Sequence, residues 1–378
     1  MRSPLSRIRI KLPWGIDPHH QIFGVGVDWS LFILPTLLSF LGIVFIFSVT
    51  YSQKPLLMIS QIIYFIIGLV IAILLTFFDY RNLRGLAPIL YGILIVLLIG
   101  VLFLGSHAFG AARWIDLKIF QLQPSEIGKV IILLFLARIF AEAKDFDFKK
   151  ILLIIGAVLA PMILILMQPD FGTAMVFFVA LLILLFFSNV KKIILLAVIA
   201  GLILAAPVGW HFLKTYQKDR IYTFINPSKD PYGSGYNVTQ AKITVGSGGL
   251  WGKGIGKGSQ IQLNFLPVAH TDFIFASAAE AIGFVGSSAL ILLLIFLVTR
   301  MINVARASKD LFGYYFALGW GLTLLFQVFV NVGMNMGIMP VTGIPLPFVS
   351  SGGTSMFTNM AAIGILQSIY LRHRKITF

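Results

Sequence analysis

Ionisable side chains inside long apolar runs are the residues best placed for chemistry, because a charge at the bilayer centre costs about 2.5–3.5 kcal/mol on insertion scales. Glu126 and Lys129 stand three residues apart in such a run, on one helical face where they can pair. They read equally well as the wall of a polar cavity or as a structural ion pair that tightens helix packing. Asp170 lies in Gln168-Pro169-Asp170-Phe171-Gly172-Thr173, a tight turn between two runs, where it could cap a helix or face a ligand. Asp272, in His270-Thr271-Asp272-Phe273, stands where a basic segment meets an apolar run whose other acid is Glu280. A cap is again available to it, but an anionic ligand and a carboxylate would also meet there. Glu280 is eight residues on, about 12 Å along a helix axis. Paired glycosidase carboxylates lie about 5–9.5 Å apart, so these two are not expected to act as such a pair.

The basic segment is residues 214–271. It carries Lys214, Lys218, Arg220, Lys229, Lys242, Lys253 and Lys257 against Asp219 and Asp230. Such a surplus suits a phosphate-bearing ligand, although a long loop can also collect lysines by chance. Its glycine-rich stretch, Gly246 to Gly258, invites comparison with a nucleotide-phosphate loop. The pattern fails, because Gly258 follows Lys257 where Ser or Thr is required and Trp251 takes the place of the first Gly. A compact outer loop is expected instead. No His, Cys or acid cluster has metal-ligand spacing, and there is no Gly-x-Ser-x-Gly elbow.

The elements that must position these residues are built for lipid. Of 378 residues, 58% are hydrophobic and 11% charged, against about 25% charged in soluble domains. The net charge of +15 comes from short Lys/Arg clusters between apolar runs, the pattern that orients membrane proteins rather than one that binds nucleic acid. Absence of cysteine excludes disulfides and thiolate metal sites. A helix needs about 20 apolar residues to cross the hydrocarbon core. Runs of that kind occur at 29–53, 55–78, 85–112, 123–140, 151–168, 172–190, 193–213 and 272–298. The first is longer than a signal-peptide core and is expected to be a retained helix. Residues 311–371 lack charge but hold Gly333, Gly337, Pro340, Gly343, Pro345, Pro347, Gly352 and Gly353. These break helices, so two spans joined by a re-entrant loop are expected.

The fold class is therefore an all-α polytopic membrane protein of about ten transmembrane helices. It forms a single domain over 1–378, with 214–271 as a large extracytoplasmic loop between helices 7 and 8. Eighteen Lys and Arg fall in the segments on one face, including 1–28 and 372–378, and only Lys54, Arg113 and Lys118 in the short loops on the other. The positive-inside rule then places both termini in the cytoplasm. No internal repeat is visible, which disfavours a transporter built from matching halves.

Several blocks, in order, resemble the SEDS family (shape, elongation, division and sporulation) of membrane peptidoglycan glycosyltransferases. They are Ala112-Arg113-Trp114-Ile115, Gln123-Pro124-Ser125-Glu126 with Lys129, Gln168 to Thr173, and Gly246-Ser247-Gly248-Gly249. Further on come Phe265-Leu266-Pro267 leading to His270 through Ala276, and Pro345-Leu346-Pro347 leading to Ser350-Ser351-Gly352-Gly353. Gln262 to Pro267 and Tyr216 to Arg220 are more similar to the elongation, RodA-like branch than to the division branch. The resemblance implies polymerisation of lipid II, the undecaprenyl-pyrophosphate-linked substrate, into β-1,4 glycan at the outer face of the bacterial cytoplasmic membrane. It implies Asp272 as general base, and Arg113, Glu126, Lys129, Asp170, Arg220, Gln240, Lys242, Ser247, His270, Thr271, Glu280 and Ser350 as substrate-binding or supporting residues. Arg220, Lys242 or a divalent cation such as magnesium or manganese would balance the leaving pyrophosphate; no organic cofactor is implied. A class B penicillin-binding protein transpeptidase is the implied partner, alongside membrane lipid and without nucleic acid. A lipid II transporter (flippase) that makes no bonds is the alternative from another class.

Overall fold

The structure, a computed structural model, describes residues 26–50, 56–108, 111–116, 121–143, 145–212, 215–226, 233–263 and 265–372. Arg2, Arg7, Arg9, Lys11, Lys54, Lys118, Lys144, Lys214, Lys229, Asp230, Arg374 and Lys375 lie outside the described residues. In chain order the first helices are α1 (Ser30–Thr50), α2 (Leu56–Phe77) and α3 (Tyr80–Leu104), followed by strands β1 (Ser106–Ala108), β2 (Ala111–Asp116) and β3 (Gln121–Leu122). Then come α4 (Pro124–Glu142), α5 (Phe148–Met167), α6 (Phe171–Phe187) and α7 (Lys192–Phe212), and the shorter α8 (Thr215–Ile225), α9 (Ser234–Ser247) and α10 (Ser259–Gln262). The chain closes with α11 (Ile274–Ala307), α12 (Leu311–Asn335) and α13 (Gly353–Leu371).

Among the described residues, the long helices match the expected runs one for one. Six of them, α1, α2, α3, α5, α11 and α12, are long and apolar enough to cross a membrane. Helix α4 is buried along most of its length and carries Glu126 and Lys129 inside the bundle. The outer surfaces of α2 and α3 instead expose Ile59, Ile63, Ile66, Val70, Leu74, Ile89, Ile93 and Val96, an apolar face that only lipid or another apolar surface can cover.

Three expectations are corrected. The third run, expected over 85–112, is a helix from Tyr80 to Leu104 followed by a three-stranded antiparallel sheet. Asp79 starts that helix early by accepting from Arg81 N at 2.9 Å, and Gly105 adopts extended backbone that ends it. The segment 214–271 is more than a loop: its described residues form α8, α9 and α10, with α9 packed on α11 and α12. The eighth run does not stop at Val298 but continues to Ala307, kinked at Gly283 (φ 68°). A side chain at Gly283 would run into Gly252 N and Leu250 O, so the glycine lets the glycine-rich loop seat against the kink. The break expected within 311–371 is present: residues 336–352 are non-helical, and most of 344–350 is buried.

Polar contacts tie the two ends of the bundle. At one end Arg300 pairs with Asp28, Arg84 with Glu142, and Arg372 with Asp79. At the other, Gln61 of α2 meets Ser350 and Gly352, and Thr354 meets Gln121. Helices α2 and α13 approach closely at Gly364, where an added methyl would lie 2.5 Å from Ala72 O. Overpacking of this kind costs about 1–3 kcal/mol, so Gly364→Ala should lower the thermal unfolding midpoint of purified protein. Gly92→Ala, with nothing within 4 Å of the added methyl, should leave it unchanged or raised. Equal midpoints for the two variants would refute the close approach.

Candidate functional site

Asp272 sits in the turn just before α11, and that turn is held by other elements. The His270 carbonyl accepts from Ser351 N at 3.0 Å, and the Thr271 carbonyl from Ser350 Oγ at 2.7 Å. The Asp272 carbonyl accepts from Asn331 Nδ2 and Asn335 Nδ2, each at 3.1 Å. Ser350 Oγ in turn accepts from Leu346 N at 2.8 Å. Val268 (φ 55°) and Phe348 (φ 65°) occupy left-handed backbone in these two segments, a conformation that costs a bulky residue about 1–3 kcal/mol and persists only where the surroundings impose it.

Asp272 is a half-buried residue whose carboxyl is turned away from water. Its carboxylate and the Arg220 guanidinium border one small volume: a methyl on Gly343 would lie 3.6 Å from Asp272 Oδ2 and 4.0 Å from Arg220 Nη1. Removal from water pushes the Asp272 carboxyl above its ordinary value, and the negative charge of Asp170 adds to that. Arg220, Arg113 and a hydrogen bond from Thr271 oppose the rise. Beside it opens a cleft lined by Phe171, Gln217, Arg220, Ile221 and Pro340 to Thr342. The arrangement offers a proton acceptor next to fixed positive charge.

Asp170 and Arg113 buttress this corner. Asp170 caps α6 through Thr173 N at 3.1 Å, and its other oxygen accepts from Gln123 Nε2 at 3.1 Å and Ser125 Oγ at 3.5 Å. The capping role is therefore met, and the same carboxylate joins α4 to α6. Arg113 on β2 donates to the carbonyls of Gln168 and Pro169.

Glu280 and Ser247 belong to a separate cluster. Glu280 is fully buried, and its Oε1 accepts from Ser247 Oγ at 3.1 Å, Lys253 Nζ at 2.9 Å and Gln260 N at 3.0 Å. Its Oε2 accepts from Ile261 N at 3.2 Å. A carboxylate with four donors is an anchor, and it fastens the glycine-rich loop and the start of α10 to α11. Gln240 and Lys242 lie on α9; Lys242 is exposed, and its side chain crosses Gly337.

Glu126 and Lys129 pair at 2.8 Å with side chains 5% and 2% exposed, and Lys129 Nζ also donates to Gln327 Oε1 at 2.9 Å. Of the two expectations, the structural ion pair fits; burial this complete leaves no cavity wall. The residues that sequence reasoning missed are Gln61, Gln123, Gln327, Asn331 and Asn335. For three of them a signal was present: Gln327, Asn331 and Asn335 recur every fourth residue along an uncharged run, a polar stripe on one helix face.

Among the described residues no three His, Cys, Asp or Glu side chains converge. Asp272 faces guanidinium groups, so these residues do not by themselves build a site for a divalent cation.

Fold and site together define a polytopic helical membrane protein with a carboxylate and arginines converging at one end of the bundle. A family model described as "Cell cycle protein" (FtsW/RodA/SpoVE) matches residues 28–375, and the chain belongs to that family. It is 40% identical over 310 residues to "Peptidoglycan glycosyltransferase MrdB" of Escherichia coli strain K12, covering 82% of this chain and 84% of that one. It is 36% identical over 377 residues to "Probable peptidoglycan glycosyltransferase FtsW" of Nitrosomonas europaea, covering 94% and 96%. Among solved structures, the rod shape determining protein RodA of Thermus thermophilus superposes with a TM-score of 0.69 at 31% identity, covering 91% and 96%. A chain of a peptidoglycan synthase complex superposes with a TM-score of 0.77 at 32% identity, covering 92% and 98%.

Removing one member of a buried ion pair typically costs about 3–5 kcal/mol, because the other charge is stranded. Glu126→Ala and Lys129→Ala should each lower the unfolding midpoint, and the double variant should fall short of their sum. Strictly additive losses would mean that the two residues act independently.

Proposed function

We infer that this chain is a peptidoglycan glycosyltransferase that polymerises lipid II, with Asp272 as its general base. The observation that carries this reading is the Asp272 carboxylate bordering the same volume as Arg220, in a corner that Arg113 also charges. The names of the relatives supply the reaction class; the residues supply a means. The 4-hydroxyl of an acceptor sugar is a poor nucleophile until a base takes its proton in the transition state. Asp272 accepts that proton as the hydroxyl oxygen bonds to the anomeric carbon of the donor. The bond from that carbon to pyrophosphate breaks on the opposite side, inverting an α-linkage to β-1,4 and releasing undecaprenyl pyrophosphate. Pyrophosphate leaves without a general acid, and fixed cations stabilise its developing charge; Arg220 is placed for this.

The charge distribution between loops supports an outer-face location for 214–271 and a cytoplasmic location for both termini. The same reading places the protein in the bacterial cytoplasmic membrane during cell elongation. Likeness to a chain of a peptidoglycan synthase complex supports a crosslinking partner, which we take to be a class B penicillin-binding protein transpeptidase. Magnesium or manganese would reach the site on the pyrophosphate oxygens, and no step is assigned to it.

Asp272→Asn keeps the volume of the side chain and its ability to hydrogen-bond but cannot accept the proton. Capping is not at stake, because the α11 N-cap is Phe273 and makes no side-chain capping bond. General-base assistance is worth about 10²–10⁴-fold, so glycan formation by the purified variant should nearly vanish while its unfolding midpoint and lipid II binding persist. Near-parental polymerisation would reject Asp272 as the base, whereas absence of glycan product from the purified parent would favour a flippase.

The acid limb of the pH profile provides a second test. Asp272 works ionised, so activity should fall as pH drops through a value above the ordinary carboxylate range of about 4. Arg220→Gln removes a charge that lowers this value, and the acid limb should move to higher pH. Asp170→Asn removes a charge that raises it, and the limb should move to lower pH. Shifts in the same direction for both variants would contradict the assignment.

A further inference from the structure

Helix α11 begins without a cap of its own, because Phe273 at its N-cap makes no side-chain capping bond. An uncapped start leaves backbone groups to be satisfied from elsewhere, and α12 does so with two carboxamides. Asn335 Oδ1 accepts from Ala276 N at 3.1 Å, which serves as the missing cap. Capping does not account for the remaining bonds. Asn335 Nδ2 and Asn331 Nδ2 both donate to Asp272 O at 3.1 Å, the main-chain carbonyl of the residue that carries the reactive carboxylate. Asn331 Nδ2 also donates to Ile344 O at 2.8 Å, and Asn335 Nδ2 to Asn331 O at 2.8 Å. Ile344 directly follows Gly343, over which Asp272 Oδ2 and Arg220 converge. Both carboxamides are fully buried, so no water competes for these bonds.

We propose that Asn331 and Asn335 are positioning residues that hold the Asp272 carboxylate in register with Arg220 and the Gly343 backbone, acting through the Asp272 and Ile344 carbonyls. The proposal rests on Asp272 being the general base. Neither carboxamide touches the reacting atoms; their effect passes through the backbone. Asn331 links the turn before α11 to the non-helical segment 336–352, so a shift of either would carry the base away from its cation. The charged groups that face Asp272 are Arg220 on α8, Arg113 on β2 and Asp170 ahead of α6, and none of the three is replaced in the carboxamide variants.

The test uses the purified full chain and lipid II, with Asn331→Leu and Asn335→Leu, which keep roughly the side-chain volume and remove the donors. A misplacement of about 1 Å can cost about 10²-fold, so kcat should fall about 10–100-fold with KM held within about threefold. The acid limb of kcat should also move to higher pH, because Asp272 loses the company of Arg220. Asn331→Ser retains one donor in a smaller volume and should fall between parent and leucine variant. Folded leucine variants with kcat within about threefold of parent would overturn the proposal. So would a loss of kcat with an unmoved acid limb, which is what a merely structural bond produces, or failure of all three variants to fold. Asp272→Asn, measured alongside, separates the layers. If it is inactive while the asparagine variants are active, the positioning role alone is lost; if it polymerises at the parental rate, the base and its positioning residues fall together.

Discussion

A chain that leaves the helical state within an apolar bundle exposes N–H and C=O groups that lipid cannot satisfy, and each orphan costs several kcal/mol. Two such departures meet at one end of this bundle, the turn before α11 and the segment 336–352, and each supplies what the other lacks. Ser350 and Ser351 take the carbonyls of Thr271 and His270, while Asn331 and Asn335 take that of Asp272. Gln61 of α2 closes the arrangement from outside through Ser350 and Gly352. Because the donors of one segment and of α12 are spent on the carbonyls of the other, neither segment can move without orphaning polar groups. The left-handed Val268 and Phe348 are tolerated for the same reason.

Three acids near this end have three fates, decided by what surrounds them. Asp170 spends its oxygens on a helix cap and on two side chains of the α4 entrance. Glu280 is saturated by four donors and serves as the post around which the glycine-rich loop is folded. Asp272 is half-buried and faces charges across space. A carboxylate whose acceptor capacity is used up by backbone donors is a poor base. One held beside cations, with no cluster of backbone donors saturating it, can exchange a proton with a ligand.

The Glu126–Lys129 pair shows the same rule deeper in the bundle. Two charges are admitted there because they compensate each other, and Gln327 of α12 takes a further ammonium proton. The pair thereby joins α4 to α12, the helix that also carries Asn331 and Asn335. The polar stripe of α12 thus runs from the ion pair in the interior to the carbonyl of the proposed base at the mouth.

Some of this was determined by the sequence alone. Span number and the break within 311–371 follow from apolar run length and from clustered Gly and Pro, because these are local properties that lipid and backbone sterics read directly. The ordered motifs pointed to the family, and the basic segment to an anionic ligand. The roles of the individual acids were not legible. Asp170, Glu280 and Asp272 each precede or sit in a helix near Gly-rich or polar chain, and nothing in their spacing separates cap, anchor and base. Helix α3 began before its expected start because the Asp79 cap outweighed the nearby arginines. The stripe of Asn331 and Asn335 could be seen in the sequence, but not what it holds, because their partner is a carbonyl 59 and 63 residues away. Only tertiary structure decided which carboxylate kept its acceptor capacity, because that depends on which donors from distant helices fold against it.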